Sequence, residues 1–255
     1  MNLAVSWKGS IAFGLIYIPV NLYIATKASN ISFNQLHKPC LNRIRYKKMC
    51  EFCEVEVKND EIVKGYNYDK NKYVVFTNDD FEKIKTPKDK SINITQFVDL
   101  VEIDPVFYEK TYNIVPTGGE KAFALLKQAL ADTNKVGIAK VVFGTKENLV
   151  ALRVASDKLL LNTMYFIDEI KAVEVPQVKY DLKQEEVDLA KQLIMNLSKP
   201  FLPEKYYDEY QEKLKKAIEQ KILGEEISIP EEAPEHNIIN LMDALQESLR
   251  VNPPL

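Results

Sequence analysis

The sequence predicts a mainly β protein with α content, its helices gathered in a C-terminal region. Three observations carry that prediction. Residues 136–165 hold three strand-like runs in close succession. Residues 6–26 are rich in β-branched and aromatic side chains. Beyond Pro176 the apolar residues recur at helical rather than alternating spacing. Short strands following one another with few helices between them point to an antiparallel sheet or barrel, not a βαβ wheel.

Taken in order, residues 6–26 read as two strands split by a bend, with Gly9, Gly14 and Pro19 as punctuation and Trp7 as a core anchor. Residues 54–62 and 66–76 have strand character, and Asp69-Lys70-Asn71-Lys72 reads as a hairpin turn flanked by lysines. Asn78-Asp79-Asp80-Phe81 predicts a helix N-cap with acids in the first turn. Residues 91–101 and 108–115 are two further strands. A helix then follows Pro116-Thr117-Gly118-Gly119-Glu120, with Ala122, Leu125, Leu126, Ala129 and Leu130 as its apolar positions. The double glycine lacks the Gly-x-x-x-x-Gly-Lys-Ser/Thr pattern, so it reads as a helix entry and not as a phosphate loop.

Strands at 136–143, 149–154 and 158–165 complete the β region. Residues 184–197 form an amphipathic helix through Val187, Leu189, Leu193, Ile194 and Leu197, ended by Pro200 and Pro203. Residues 206–223 form a second, with acid/base pairs at i,i+4 spacing and Gly224 as its C-cap. An acidic, proline-containing linker follows. The last helix, 238–249, places Ile238, Leu241, Met242, Leu245 and Leu249 on one face, a stripe that suits either a core or a docking surface.

At 255 residues the chain fits one large domain, or one domain with a helical appendage. The net charge of −3 argues against bulk attraction to nucleic acid. The charge is unevenly distributed, however: basic residues outnumber acidic ones over the first ninety positions, whereas residues 225–235 are acidic. A near-neutral total is therefore compatible with a locally positive surface. No apolar run approaches the ~18–20 residues of a membrane helix, and the N-terminus lacks an export signal, so a cytosolic protein is expected.

All three cysteines and one of the two histidines fall within residues 37–53, HKPCLNRIRYKKMCEFC. Three cysteines cannot all pair with one another, and in a reducing compartment metal binding or free thiols are favoured over bridges. His37/Cys40 and Cys50/Cys53 each have the two-residue gap that lets one tight turn aim two ligands at a single ion. One structural Zn²⁺ per chain is the expectation, against partly exposed thiols and a surface histidine. Between the pairs lie Arg43, Arg45, Lys47 and Lys48 with Tyr46 interleaved, a composition suited to phosphate contacts or, more plainly, to a solvated charged hairpin. With His37 committed to metal and His236 in the linker, no Ser-His-Asp or Cys-His arrangement forms, and no Walker, HExxH or dinucleotide motif is present. No catalysis is expected.

Several ordered blocks resemble a known family, prokaryotic Ku, the DNA-end-binding protein of nonhomologous end joining. The most specific is WKGSIAFGLIYIPVNLY at residues 7–23, joined by RIRY at 43–46 with the Cys-x-x-Cys after it. KGYNYDKNKYVVF, GGEKAFALLKQAL and KENLVALRV resemble the middle blocks, and FLPEKYYDEYQEKLKKAIEQKI and NLMDALQESL the C-terminal ones. The resemblance implies a Ku-core-like β-barrel with a strand-rich dimerisation and DNA-encircling arm. On that basis residues 1–180 are the barrel with an arm at about 30–90, 181–224 a helical region, and 225–255 a linker with a partner-docking helix.

It further implies a nucleoid-associated homodimer whose two arms ring duplex DNA ends. Arg43, Arg45, Lys47, Lys48, Lys64, Lys70 and Lys72 then become the expected DNA-binding residues. The implied partner is the multifunctional ATP-dependent DNA ligase of bacterial end joining, met through Leu241, Met242, Leu245 and Leu249. Many relatives continue into a lysine-rich tail, whereas this sequence stops at Pro253-Pro254-Leu255, so tail-dependent DNA binding is not carried over. The readings from other classes are a zinc-stabilised protein-interaction module that does not touch DNA, and a metal-dependent nuclease or ligase-like enzyme.

Overall fold

A computed structural model describes residues 4–84, 90–144, 146–173 and 182–227. They belong to two units, one comprising Met1–Ser29 and Phe33–Val173, the other Asn30–Ser32 and Glu174–Leu255. In the first, β1 (Trp7–Phe13) and β2 (Ile16–Ile24) open the chain. The two small hairpins that follow are built from β3 (Met49–Cys50) with β4 (Val55–Glu56) and β5 (Lys64–Asp69) with β6 (Lys72–Phe76). After helix α1 (Asn78–Lys83) come β7 (Ser91–Asp99), β8 (Tyr108–Pro116), helix α2 (Glu120–Thr133), β9 (Lys135–Phe143), β10 (Lys146–Ala155) and β11 (Lys158–Met164).

Seven strands close a barrel in the order β1-β2-β8-β11-β10-β9-β7. Every pairing is antiparallel except the last, where Ser10–Ala12 of β1 runs parallel to Ser91–Asn93 of β7 and completes the ring. The barrel expected from the run of short strands is thus present, closed by a pairing that sequence periodicity does not encode. Alternation puts one residue in two inward: Ile18, Val20 and Leu22 of β2, Val150 and Leu152 of β10, and Leu159 and Leu161 of β11 are all buried in one cluster with Ile11 and Ile92. Trp7 packs against this cluster and meets Phe143 edge-on at 5.8 Å, in keeping with its role as an anchor. On the opposite face Val136, Ile138, Ala151 and Met164 make a second, smaller cluster, with Ile103 and Phe107 packed against it.

Tight turns set the register. Gly14, at φ 59°, turns β1 into β2, and Ser156 and Asp157, both at positive φ, make the two-residue turn of β10–β11. Helix α2 lies against β2, β9 and β10 and drives Leu126 and Leu130 into the main cluster, with Ala122 and Phe123 beside them. Here the sequence reading needs correction: Leu125 and Ala129 are exposed, and Phe123 takes the inward place. Buried Asn162 is satisfied across three strands, accepting from Arg153 Nε at 2.9 Å and donating to Thr111 Oγ1 at 2.7 Å.

The second unit contains helices α3 (Gln184–Leu197) and α4 (Glu209–Leu223). The first matches its expected bounds. The second starts later than residue 206, because Asp208 caps it by accepting from the Gln211 N–H at 3.0 Å. Gly224, at φ 79°, is the expected C-cap. The Ile31 N–H donates to Gln211 Oε1 at 3.3 Å, which ties residues 30–32 to α4 and not to the barrel strand before them. The linker and the expected helix with Leu241, Met242, Leu245 and Leu249 lie outside the described residues. No described helix is long and apolar enough to cross a membrane.

At Gly9 a Cβ would fall inside the Trp7 ring and against the Lys90 carbonyl oxygen, the same oxygen that accepts from the Ser10 N–H at 2.8 Å. Gly9→Ala is therefore expected to destabilise the barrel by about 1–3 kcal/mol through overpacking, read as a lowered midpoint in urea unfolding with the slope unchanged.

Candidate nucleic-acid interface

The chain leaves the barrel at the end of β2 and re-enters it at β7, and both of these strands are neighbours of β1. Between them, residues 33–84 form an arm of small hairpins. Two of its turns share one backbone pattern. In the first, the His37 carbonyl accepts from the Leu41 N–H at 2.7 Å, Leu41 stands at φ 55°, and Leu36 bridges Arg43. In the second, the Cys50 carbonyl accepts from the Glu54 N–H at 2.8 Å, Glu54 stands at φ 55°, and Met49 pairs with Glu56.

Each turn brings its own two candidate ligands together. His37 Nδ1 lies 3.1 Å from Cys40 Sγ. The backbone N–H groups of Cys53 and Phe52, then the Cys53 thiol, face Cys50 and hold its thiol below its ordinary value, and Cys53 is raised by the same neighbour. Asn42, through its backbone N–H and then its side chain, lowers Cys40. Among the described residues no group of three or more His, Cys, Asp and Glu side chains converges as a metal site, so the four are gathered as two pairs.

The expected DNA-binding cations are all exposed, but they are not one patch. Arg43 donates to Asn34 Oδ1 and Lys48 to Asn59 Oδ1 at 2.9 Å, while Lys47 pairs with Glu56 at 2.6 Å. Asn34, Gln35, Asn42, Arg43, Ile44 and Arg45 line a polar cleft of about 570 Å³. On the β5–β6 hairpin, Lys72 pairs with Asp69 at 2.8 Å, which with the Lys70 N–H holds that carboxyl below its usual range. Lys64 sits at the opposite end of β5, its ammonium 4.6 Å from the centre of the Phe81 ring. At ~3.3 Å per residue, the length of β5 separates Lys64 from the Lys70/Lys72 turn by roughly 17–20 Å. Among the described residues Arg45 and the Lys70 ammonium have no side-chain partner.

Hairpin β5–β6 is unusual in burying neither face. Tyr66, Tyr68, Tyr73, Val74 and Val75 are all exposed. Beside it, the Phe76 and Phe81 rings meet at a tilt with centroids 5.5 Å apart, and α1 is capped by Thr77, whose hydroxyl exchanges hydrogen bonds with Asp80. The cap is thus Thr77, one residue before the expected Asn78.

A family model described as the Ku70/Ku80 β-barrel domain matches residues 12–189. The chain belongs to the Ku family. The match begins within β1, takes in the arm and every later barrel strand, and ends inside α3. Curated relatives extend it further. A protein of Lachnoclostridium phytofermentans named non-homologous end joining protein Ku is 49% identical over 246 residues, 96% of this chain and 96% of that protein. Proteins of the same name from Archaeoglobus fulgidus and Bacillus subtilis are 46% and 38% identical, covering 96% and 98% of this chain and 97% and 82% of their own lengths.

Sequence reading of this Ku-family chain located the cations and the ligand pairs but missed what surrounds them. Asn34 and Gln35, which receive Arg43 and the Tyr46 hydroxyl, were not singled out. Their signal was present: they lie opposite the basic run across the His37–Asn42 turn. A cleft of the barrel, about 660 Å³ beside α2, is lined by Tyr23, Asn113, Phe123, Lys127, Asp157 and Lys158, with Lys127 paired to Asp157 at 2.7 Å. No sequence motif marks it. The Lys47–Glu56 pair has both side chains more than half exposed, and exposed pairs contribute about 0–1 kcal/mol. Glu56→Gln should accordingly move the unfolding free energy by less than about 1 kcal/mol in urea titration.

Proposed function

We propose that this chain is a non-catalytic clamp for DNA ends in double-strand break repair by nonhomologous end joining. Two copies close their arms into a ring, the ring threads onto a duplex end through sequence-independent phosphate contacts, and an ATP-dependent DNA ligase is recruited. The observation that carries the reading is an exposed arm, bearing the basic run Arg43 to Lys48, set between β2 and β7 of a Ku barrel, in a chain similar almost end to end to proteins named for this repair.

Two physical arguments support it. A two-stranded hairpin with both faces wet is marginal alone, so exposed Tyr66, Tyr68, Tyr73, Val74 and Val75 suit coverage by the arm of a second copy. Arg43 and Lys48 are held by neutral amides and Lys47 and Lys72 by weak exposed ion pairs, which a phosphate displaces at little cost. Retention by encirclement needs no base contact, and Arg43, Arg45, Lys47, Lys48, Lys64, Lys70 and Lys72 supply charge without a rigid reading geometry. The ligase contact is assigned to Leu241, Met242, Leu245 and Leu249, whose helical spacing suits a groove on the partner. The site of action is the cytoplasmic nucleoid.

Gel shifts with linear and covalently closed circular duplex of one sequence test the clamp. Binding to the linear form alone is expected, whereas equal binding to both rejects threading, and binding to neither favours a protein-interaction module. Neutralising Arg43, Arg45, Lys47 and Lys48 to Gln together should weaken binding and flatten the log affinity against log salt plot by roughly 0.9 for each phosphate left without a cation. An unchanged slope would remove these residues from the interface.

A further inference from the structure

We propose that His37, Cys40, Cys50 and Cys53 of one chain are two halves of a single four-coordinate site for Zn²⁺, which clips the two arm turns to each other. The inference does not rest on the DNA-clamp reading. Its basis is that the two turns are copies of one backbone device. Counting from the first candidate ligand, i, both turns hydrogen-bond the i carbonyl to the i+4 N–H, both place i+4 near φ 55°, and both pair residue i−1 with i+6. The residues at i+4 are Leu41 and Glu54, and neither is a glycine. An L-residue in that region costs about 1–2 kcal/mol, and both turns bear that cost at the same offset from the first candidate ligand.

The shared device has a chemical result. It turns the side chains at i and i+3 to one side, and in both turns those residues are the chain's His and Cys ligand types. His37 Nδ1 and Cys40 Sγ are 3.1 Å apart, within about half an ångström of the ~3.6 Å that two such ligands span on a tetrahedral ion with Zn–N near 2.05 Å and Zn–S near 2.3 Å. At Cys50 the backbone N–H groups of Phe52 and Cys53 face the sulfur, so this turn gathers its two ligand residues as the first does. Each half supplies two ligands and closes no site alone. Arg43 and Ile44 pair back to residues 35–36, and Lys48 and Met49 to residues 56–57, so metal binding turns the two hairpins toward each other about Arg45–Lys47. One imidazole and three thiolates fill every position of a tetrahedral ion, which makes the site structural, with no place for a reacting water. Binding displaces the three thiol protons to solvent and changes no oxidation state. The four residues lie outside the barrel clusters, so metal would order the arm and leave the barrel core as it is.

The test uses the full chain purified under reducing conditions and titrated with Zn²⁺, and with Co²⁺ as a spectroscopic probe. About one equivalent per chain is expected, with thiolate-to-cobalt charge-transfer absorption and tetrahedral ligand-field bands. His37→Ala, Cys40→Ser, Cys50→Ser and Cys53→Ser should each lower affinity by at least the 10- to 100-fold that loss of an outer partner costs a metal site. The three Cys variants should also lose charge-transfer intensity, while His37→Ala keeps it. Far-UV circular dichroism of each variant should match the parent, which separates ligand loss from failure to fold. Substoichiometric binding, an octahedral cobalt spectrum, or binding indifferent to His37 and Cys40 would overturn the proposal. A Cys50–Cys53 disulfide that persists in place of metal under reducing conditions would do the same.

Discussion

Everything in the first unit depends on how β1 closes the barrel. Strand β1 is held on one side by its hairpin partner β2 and on the other by β7, which reaches it only after residues 25–90 have left and returned. Three residue pairs, Ser10–Ala12 with Ser91–Asn93, carry the parallel closure, and Ile11 and Ile92 bury completely behind them. Gly9 and Trp7 shape the same seam, since the indole occupies the space that a side chain at Gly9 would need. Closing such a long excursion is inexpensive: relative to an eight-residue loop it is about three doublings, or roughly 2 kcal/mol. A barrel core of this size absorbs that cost, and it places an arm at a fixed point of a rigid frame.

The arm follows the opposite design. It has hairpins without a core of their own, paired charges that are mostly solvent-exposed, and an aromatic hairpin open on both faces. Elements that bury little apolar surface take their order from partners. Under the proposed function the partners are a second arm and the phosphate backbone, and under the metal inference a third comes from within the chain. The barrel supplies stability and the arm supplies surfaces, a division that accounts for how a chain of net charge −3 can present a basic element.

Much of the barrel was legible because its strands alternate cleanly and their turns carry glycine, serine, aspartate or asparagine at positive φ. Helix α3 was legible to the residue because its apolar periodicity runs from the first acidic turn to Leu197, ahead of Pro200. Which face of α2 turns inward was not, since Phe123 and Leu125 are equally apolar and only the barrel decides between them. The strand expected over residues 54–62 shrinks to β4, which pairs with β3 where the Cys50–Glu54 turn brings their ends together, and a 3-10 turn at Asn59–Glu61 replaces the rest. The parallel seam and the attachment of Ile31 to Gln211 are long-range pairings between segments with no local signal of each other. In the interface the residue types were legible and their arrangement was not. The basic run, the lysine hairpin and the ligand pairs stood out, but the distance between Lys64 and the Lys70/Lys72 turn follows from hairpin geometry.

Completion of the open arm by a second copy of this chain is the point on which the proposed ring stands. Sedimentation equilibrium of the full chain without DNA, alongside a variant carrying Tyr66→Asp and Tyr73→Asp, tests it most directly. A dimer is predicted for the parent, and a monomer with an intact barrel spectrum for the variant. A parent that stays monomeric at tens of micromolar, or a variant that dimerises as the parent does, would contradict it.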